Sequence, residues 1–256
     1  MDHRPLGETG LKLSAVGFGS FKIGRNVKTK YPGDYSLPSD RAADNLLNEI
    51  LDLGINYIDT APAYGLAEQR IGSAIGHRRD EFVLSTKVGE TFDTATGASA
   101  YDYSAESVRT SLENSLRRLQ TEAIDITFIH CNDRDLEIQR DEGIVDALRQ
   151  AKVDGLTRLI GLSGKTVAGA RFALAWADVL MVAYHARDRS HAGVMSEARE
   201  RGIGVVVKKG LDSGHLEPAE AIPFVLEHRA ASSLVIGSCN LGHLRANLAL
   251  AGAVQP

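Results

Sequence analysis

Cysteine is nearly absent: Cys131 and Cys239 are the two in 256 residues, and neither stands in a CxxC spacing. That excludes a disulfide framework, a redox pair and a zinc clip, and suits a reducing compartment. Long apolar runs are missing too, and the opening MDHRPLGETG carries no signal-peptide pattern. A soluble cytoplasmic protein with no membrane partner is therefore expected. Charge of one sign does not dominate, since 29 Lys and Arg against 33 Asp and Glu leave a formal net charge of -4. This balance gives no basic footprint, so nucleic acid is not an expected partner.

What the chain does have is 43% hydrophobic residues, enough for a substantial core, arranged in a regular alternation. Runs rich in Val, Ile or Leu recur around 15–19, 55–59, 82–87, 124–130, 158–162, 179–184, 204–208 and 233–237. Helical periodicity appears between them: Leu46, Leu47, Ile50 and Leu51 follow Ser39, and Val108, Leu112, Leu116 and Leu119 follow Ser104. Both serines are expected N-caps, and the leucines are ordinary barrel-facing packing. About eight strands alternating with helices predict an α/β fold of the (β/α)8 TIM barrel type, one domain over residues 1–256. Arg4–Leu6 and Leu11–Leu13 flank the turn-prone Gly7–Gly10 and predict an N-terminal β-hairpin that plugs the barrel bottom. Two longer stretches, 21–38 and 89–103, read as irregular loops on the face where such barrels carry their sites. They hold Tyr31, Pro32, Tyr35, Phe92, Tyr101 and Tyr103, to which no substrate contact is assigned.

Four short segments stand out: DTAPAYG at 59–65, STKVG at 85–89, FIHCND at 128–133 and VIGSCN at 235–240. The first three bring Asp59, Tyr64, Lys87 and His130 to one end of successive strands, where a carboxylate, a phenol, an ammonium and an imidazole can converge on a carbonyl. Singly, each has a plainer reading: a turn cap, a surface aromatic, a snorkelling strand-end lysine, a core histidine. Their joint occurrence points to chemistry. A metal site from His130, Cys131 and Asp133 is rejected, because consecutive strand residues point to opposite faces, and no metal is expected.

These motifs, in this order, resemble the aldo-keto reductase superfamily, in a bacterial type with a short C-terminus. The likeness runs from RPLGETGLKLSAVGFGS almost to the end of the chain. GINYIDTAPAYGLAEQRIGSAI resembles the signature around the catalytic aspartate and tyrosine, and STKVG and FIHCND resemble the lysine and histidine segments. The resemblance implies an NAD(P)H-dependent oxidoreductase that reduces aldehydes or ketones to alcohols by hydride transfer. Tyr64 is then the general acid, or the general base in the reverse direction, and His130 orients the carbonyl oxygen. A phenol titrates near ~10, so it donates poorly near neutrality unless its anion is stabilised. Lys87 is expected to do this, held and kept charged by Asp59.

The cofactor segments depart further from the pattern. No GxGxxG opens a Rossmann helix, and Gly17-Phe18-Gly19-Ser20 is too short a signal for one; on its residues alone it reads equally as a tight strand-end turn. The resemblance implies that Gly19 and Ser20, with Asp59, line the nicotinamide. Ser163 falls at a carboxamide contact, but Gly164 follows where asparagine is usual. Met181 and His185 stand where glutamine and asparagine are usual. Lys208 replaces an aromatic that stacks on the nicotinamide in many members, and Lys209, Leu211 and Ser213 fall at the pyrophosphate. A lysine approaches phosphate as a point charge, although a solvated lysine pair is the plainer reading.

VIGSCNLGHLRANLAL resembles the adenosine-phosphate element, with Ser238 and Asn240 near a helix start and His243, Leu244 and Asn247 along it. Gly237 and His243 occupy positions where many NADPH-specific members carry lysine and arginine, and Arg245 is turned away along the helix. NADPH is the expected cofactor by family habit, with NADH second. The chain ends at Pro256, soon after that helix, which implies an open site; a monomer is expected. A different class of function, a cofactor-binding regulatory or sensing protein on the same fold, fits the altered contacts. A third reading makes Lys87 a Schiff-base amine, which Asp59 beside it opposes.

Overall fold

The computed structural model describes residues 3–29, 31–141 and 143–254. Lys30 in the first loop and Pro256 at the end of the expected domain lie outside the described residues. Strands β1 (His3–Pro5) and β2 (Lys12–Ser14) pair antiparallel as the expected hairpin. Then come β3 (Val16–Gly19), β4 (Tyr57–Asp59), β5 (Val83–Val88), β6 (Glu90–Asp93), β7 (Ala98–Tyr101), β8 (Ile124–His130), β9 (Thr157–Ser163), β10 (Val179–Ala183), β11 (Gly204–Lys208) and β12 (Ser233–Ile236). Among the described residues, eight of these strands, β3, β4, β5, β8, β9, β10, β11 and β12, close in that order into a parallel barrel. The chain is a (β/α)8 TIM barrel with an N-terminal hairpin.

The helices are α1 (Asp40–Asp52), α2 (Ala67–Ile75), α3 (Ala105–Leu119), α4 (Asp135–Asp141), α5 (Ile144–Val153), α6 (Val167–Ala173), α7 (Ala192–Glu200), α8 (Pro218–Leu226) and α9 (Leu241–Gly252). Ser39 accepts from Ala42 N at 3.2 Å and Ser104 from Ser107 N at 3.3 Å, so both expected caps form. The stripe Leu46, Leu47, Ile50 and Leu51 is buried under α1. No helix among the described residues is long and apolar enough to cross a membrane.

One stretch departs from expectation. Residues 89–103 are not irregular: β6 and β7 form a two-stranded antiparallel ribbon, with Glu90 opposite Tyr101 and Phe92 opposite Ser99. Its outer residues are exposed, so no apolar alternation marks it in the sequence, while Glu90 and Phe92 on one face are partly buried.

Period-2 alternation decides what fills the barrel. Tyr57, Val83, Ile126, Phe128, Val179, Met181 and Val206 point inward and pack with Leu6 and Leu13 of the hairpin. Leu6 sits against Gly204, where an added Cβ would lie 2.5 Å from the leucine side chain, so the hairpin closes the end at which β11 begins. Continuing the same alternation carries Asp59, Lys87, His130 and Lys208 inward at the opposite end, two residues beyond Tyr57, Ser85, Phe128 and Val206 respectively.

Leu6 is fully buried, so Leu6→Ala removes apolar contacts where the barrel cannot collapse around the void. The expected loss is about 2–5 kcal/mol in urea denaturation. A loss under about 0.5 kcal/mol would show that the plug packs loosely.

Candidate functional site

Asp59 and Lys87 meet because β4 and β5 are neighbours, with Asp59 in register with Ser85 two residues before the lysine. Lys87 Nζ lies 2.7 Å from Asp59 Oδ1, 2.8 Å from Asp59 Oδ2 and 2.8 Å from Thr60 O. Three acceptors need three protons, which only the ammonium supplies. Burial lowers the lysine and Asp59 pushes back, so the carboxylate is what keeps the charge in place. Ser85 Oγ donates to Asp59 Oδ1 at 2.8 Å, and Tyr57 OH lies 2.9 Å from the same Ser85 oxygen. The hydroxyl chain descends from the pair into the apolar interior.

Tyr64 ends the short 3-10 turn Pro62–Tyr64 after β4. Two glycines fix that turn. Gly65 has φ +61, and a Cβ there would lie 2.4 Å from Gly24 O; a Cβ on Gly24 would lie 2.0 Å from Tyr64 O. The backbone of the turn is therefore packed closely against the loop that follows β3. Its ring packs edge-on to Phe21, centroids 5.2 Å apart, and to His130, centroids 6.0 Å apart at 88°.

Lys87 stands beside Tyr64 without spending a proton on it. Its protons are directed at Asp59 and Thr60, and its Nζ stands 4.8 Å from the Tyr64 ring centre. Although the ring is partly open to the cavity, protein surrounds the phenol, and burial raises it well above its ordinary value, with Asp59 and Glu90 adding to the effect and Arg25 opposing it. Tyr64 is protonated throughout the neutral range.

His130 ends β8, and its backbone is held by Tyr103, whose OH donates to His130 O at 3.2 Å. Burial lowers the imidazole, against the pull of Glu90, so the ring is neutral near pH 7. His130 Nδ1 lies 3.0 Å from Glu90 Oε2. For Glu90, burial works upward, but His130, Ser99 and Arg25 outweigh it and hold the carboxyl down at about 2. Arg25 in turn donates to Ala63 O at 3.1 Å and stacks over the Phe92 ring at 3.7 Å.

Asp59, Tyr64 and His130 line a cavity of about 220 Å3 together with Gly19, Ser163, Lys165, Met181, Lys208 and Lys209, among others. Lys208 Nζ donates to Ser163 Oγ at 2.8 Å, and Ser163 Oγ donates to Met181 Sδ at 3.4 Å. A second cavity, of about 540 Å3, shares Tyr31, Lys209, Val235 and Gly237 with the first and continues along Leu211, Ser213, Ser238, His243 and Asn247. Its rim includes a run of left-handed backbone at Asp212, Ser213 and Gly214. The remaining expected contacts sit differently. Ser20 is fully buried with no partner for its Oγ among the described residues. Asn240 caps α9, accepting from His243 N at 3.2 Å. Arg245 reaches Glu49 at 3.6 Å on α1.

Sequence reading passed over Glu90, Arg25, Phe21 and Lys22. Glu90 follows STKVG directly, but only pairing of β6 with β7 turns its side chain to His130. Lys22, on the wall of the larger cavity, lies 4.1 Å from the Tyr31 ring centre.

The family model described as the aldo/keto reductase family matches residues 15–223. L-galactose dehydrogenase from Arabidopsis thaliana is 31% identical over 255 residues, covering 92% of this chain and 74% of that protein. D-threo-aldose 1-dehydrogenase from a Pseudomonas species is 29% identical over 238 residues, covering 82% and 70%. Among solved structures, a Pseudomonas aeruginosa protein provisionally named an aldo-keto reductase matches with a TM-score of 0.89 at 39% identity, covering 97% of this chain and 94% of that one. The holo form of aldo-keto reductase AKR11C1 from Bacillus halodurans matches with a TM-score of 0.85 at 27% identity, covering 100% and 92%.

Because the folded Glu90 carboxyl lies near 2 against an ordinary 4.5, its contribution to stability is complete above pH 4.5 and fades as pH falls toward 2. Glu90→Gln is expected to flatten that part of the stability curve, with the wild-type advantage shrinking on acidification. Urea melts at stepped pH measure it, and parallel curves would remove the assigned coupling.

Proposed function

The chain belongs to the aldo/keto reductase family, and from that premise we propose that this oxidoreductase is an NAD(P)H-dependent carbonyl reductase, reducing aldehydes or ketones to alcohols with Tyr64 as proton donor. The observation that carries the reading is the convergence of Tyr64, His130 and the Asp59–Lys87 pair on one small cavity that opens into a larger one.

The larger cavity suits a phosphate-bearing dinucleotide. Lys22, Lys209 and His243 offer cationic or ionisable walls, and its volume lies within the ~300–1,000 Å3 typical of ligand pockets. Any Cβ on Gly237 would stand 3.1 Å from Gly19 O, so this junction stays narrow and bare. The nicotinamide cofactor, when bound, supplies the hydride; NADPH is favoured and NADH is second. Lys209, Leu211, Ser213, Ser238, His243 and Asn247 would hold its phosphates and adenosine, and Gly19, Asp59, Ser163 and Lys208 would face its reactive end.

Tyr64 keeps its proton in the resting site and gives it up to an oxygen that becomes more basic than a phenolate as the carbonyl turns into an alkoxide. His130, neutral and edge-on to Tyr64, orients the carbonyl oxygen between the two rings. Asp59 and Lys87 hold Thr60 and the following turn, which fixes the hydroxyl, and the ammonium lies close enough to the ring to favour a developing phenolate.

The decisive assay follows oxidation of NADPH, and separately NADH, across aldehydes, ketones and sugars, and the reverse reaction with aldoses, because two similar proteins are named for L-galactose and D-threo-aldoses. Tyr64→Phe is expected to lower turnover by roughly 10²–10⁴-fold while cofactor Kd stays within about twofold. An active phenylalanine variant removes the tyrosine from the reaction. Cofactor binding without turnover favours the regulatory or sensing reading instead.

A further inference from the structure

Two lysines of the barrel strands, Lys87 on β5 and Lys208 on β11, point toward the same end, and their surroundings differ. Lys87 has both oxygens of Asp59 and a carbonyl around it. Lys208, the last residue of β11, has a serine hydroxyl, and among the described residues no carboxylate stands within ion-pair distance of it. Its chain is partly open to the small cavity it shares with Tyr64 and His130.

We propose that Lys208 is an amine nucleophile that forms an imine with small carbonyl compounds entering this cavity, a reaction that needs no nicotinamide cofactor and is separate from hydride transfer. The Nζ lone pair attacks the carbonyl carbon, a C–N bond forms, and the carbonyl oxygen takes a proton to give a carbinolamine. Loss of water, with departure of the remaining nitrogen proton, leaves the C=N bond, so one aldehyde and one amine become one imine and one water. No oxidant or reductant is consumed.

The surroundings keep the amine free. Burial, with repulsion from Lys209 and Lys87, lowers Lys208 to about 7 against upward pulls from Cys131 and Asp59. That upward pull is weak. Burial raises Cys131 and keeps it a neutral thiol, and Asp59 and Lys87, paired with each other, largely cancel at Lys208 and leave Lys209 as the main nearby charge. His130 and His191, the ionisable rings that feel Lys208, are themselves lowered by burial and bring no charge near neutrality. At pH 7 about half of Lys208 is then free amine, against roughly a thousandth or less for a lysine at its ordinary ~10.4. A neutral amine facing a cavity that a carbonyl compound can enter is what imine formation requires.

Propanal with cyanoborohydride, which traps the imine as a propylamine, tests this on the cofactor-free protein, with peptide mapping to read each lysine separately. Lys208 is expected to be alkylated at least about tenfold faster than any other lysine at pH 7, with half-maximal rate near pH 7. Tyr64→Phe is expected to retain the label, so a failed reductase assay leaves this result standing. Lys208→Arg, which keeps a cation but not a nucleophilic amine, is expected to abolish the fast adduct without moving it elsewhere. Labelling of Lys208 no faster than surface lysines, or fast labelling at Lys87 or Lys209 instead, would overturn the proposal.

Discussion

Two opposite charges taken out of water between β4 and β5 set the terms for everything at the open end of the barrel. Burying such a pair costs several kcal/mol per ion unless every proton and lone pair is matched. Here the matching is nearly complete: Lys87 spends its three protons on Asp59 and Thr60, and Ser85 adds a donor to the carboxylate. The bond to Thr60 O matters most for geometry, since it pins the backbone just before the turn that carries Tyr64.

From hairpin to cavity the lumen changes character in steps. Leu6 and Leu13 meet aliphatic and aromatic side chains, then come the Tyr57 and Ser85 hydroxyls, then the ion pair, and last a cavity with neutral acid and base groups. The gradient keeps the charged layer dry on one side and leaves the reacting layer open on the other. Burial holds both Tyr64 and His130 in their neutral forms, so fixed fields on them come from charged neighbours, among them Asp59, Lys87 and Glu90. Fields built in advance need no rearrangement when charge develops.

The barrel strands were legible because buried parallel strands read as Val, Ile and Leu runs, and each expected run overlaps one. Ser39 and Ser104 were legible as caps because capping is local. Asp59, Tyr64, Lys87 and His130 were legible as a group because each lies in a contiguous motif at a strand end. The ribbon at 90–101 was not, because Ala, Ser and Gly are weak strand formers and β7 is exposed throughout. Glu90 and the partner of Lys208 were invisible for a different reason: Glu90 meets a residue 40 positions away and Lys208 one 45 positions away, across neighbouring elements that only the folded chain brings together. How Lys87 bears on Tyr64 was legible only in part: its three protons go to Asp59 and Thr60, while its charge stands 4.8 Å from the centre of the phenol ring.

Arg25 joins three parts of the rim that the chain keeps far apart. Its guanidinium is bonded to Ala63 in the tyrosine turn and to Val27 in the first loop, and lies on Phe92 in the ribbon. The first loop and the ribbon therefore cannot drift independently over evolutionary time. A lineage that reshapes either wall for a new substrate must also repair this knot or move the hydroxyl beside it, so diversification at this rim should advance by paired changes rather than single ones.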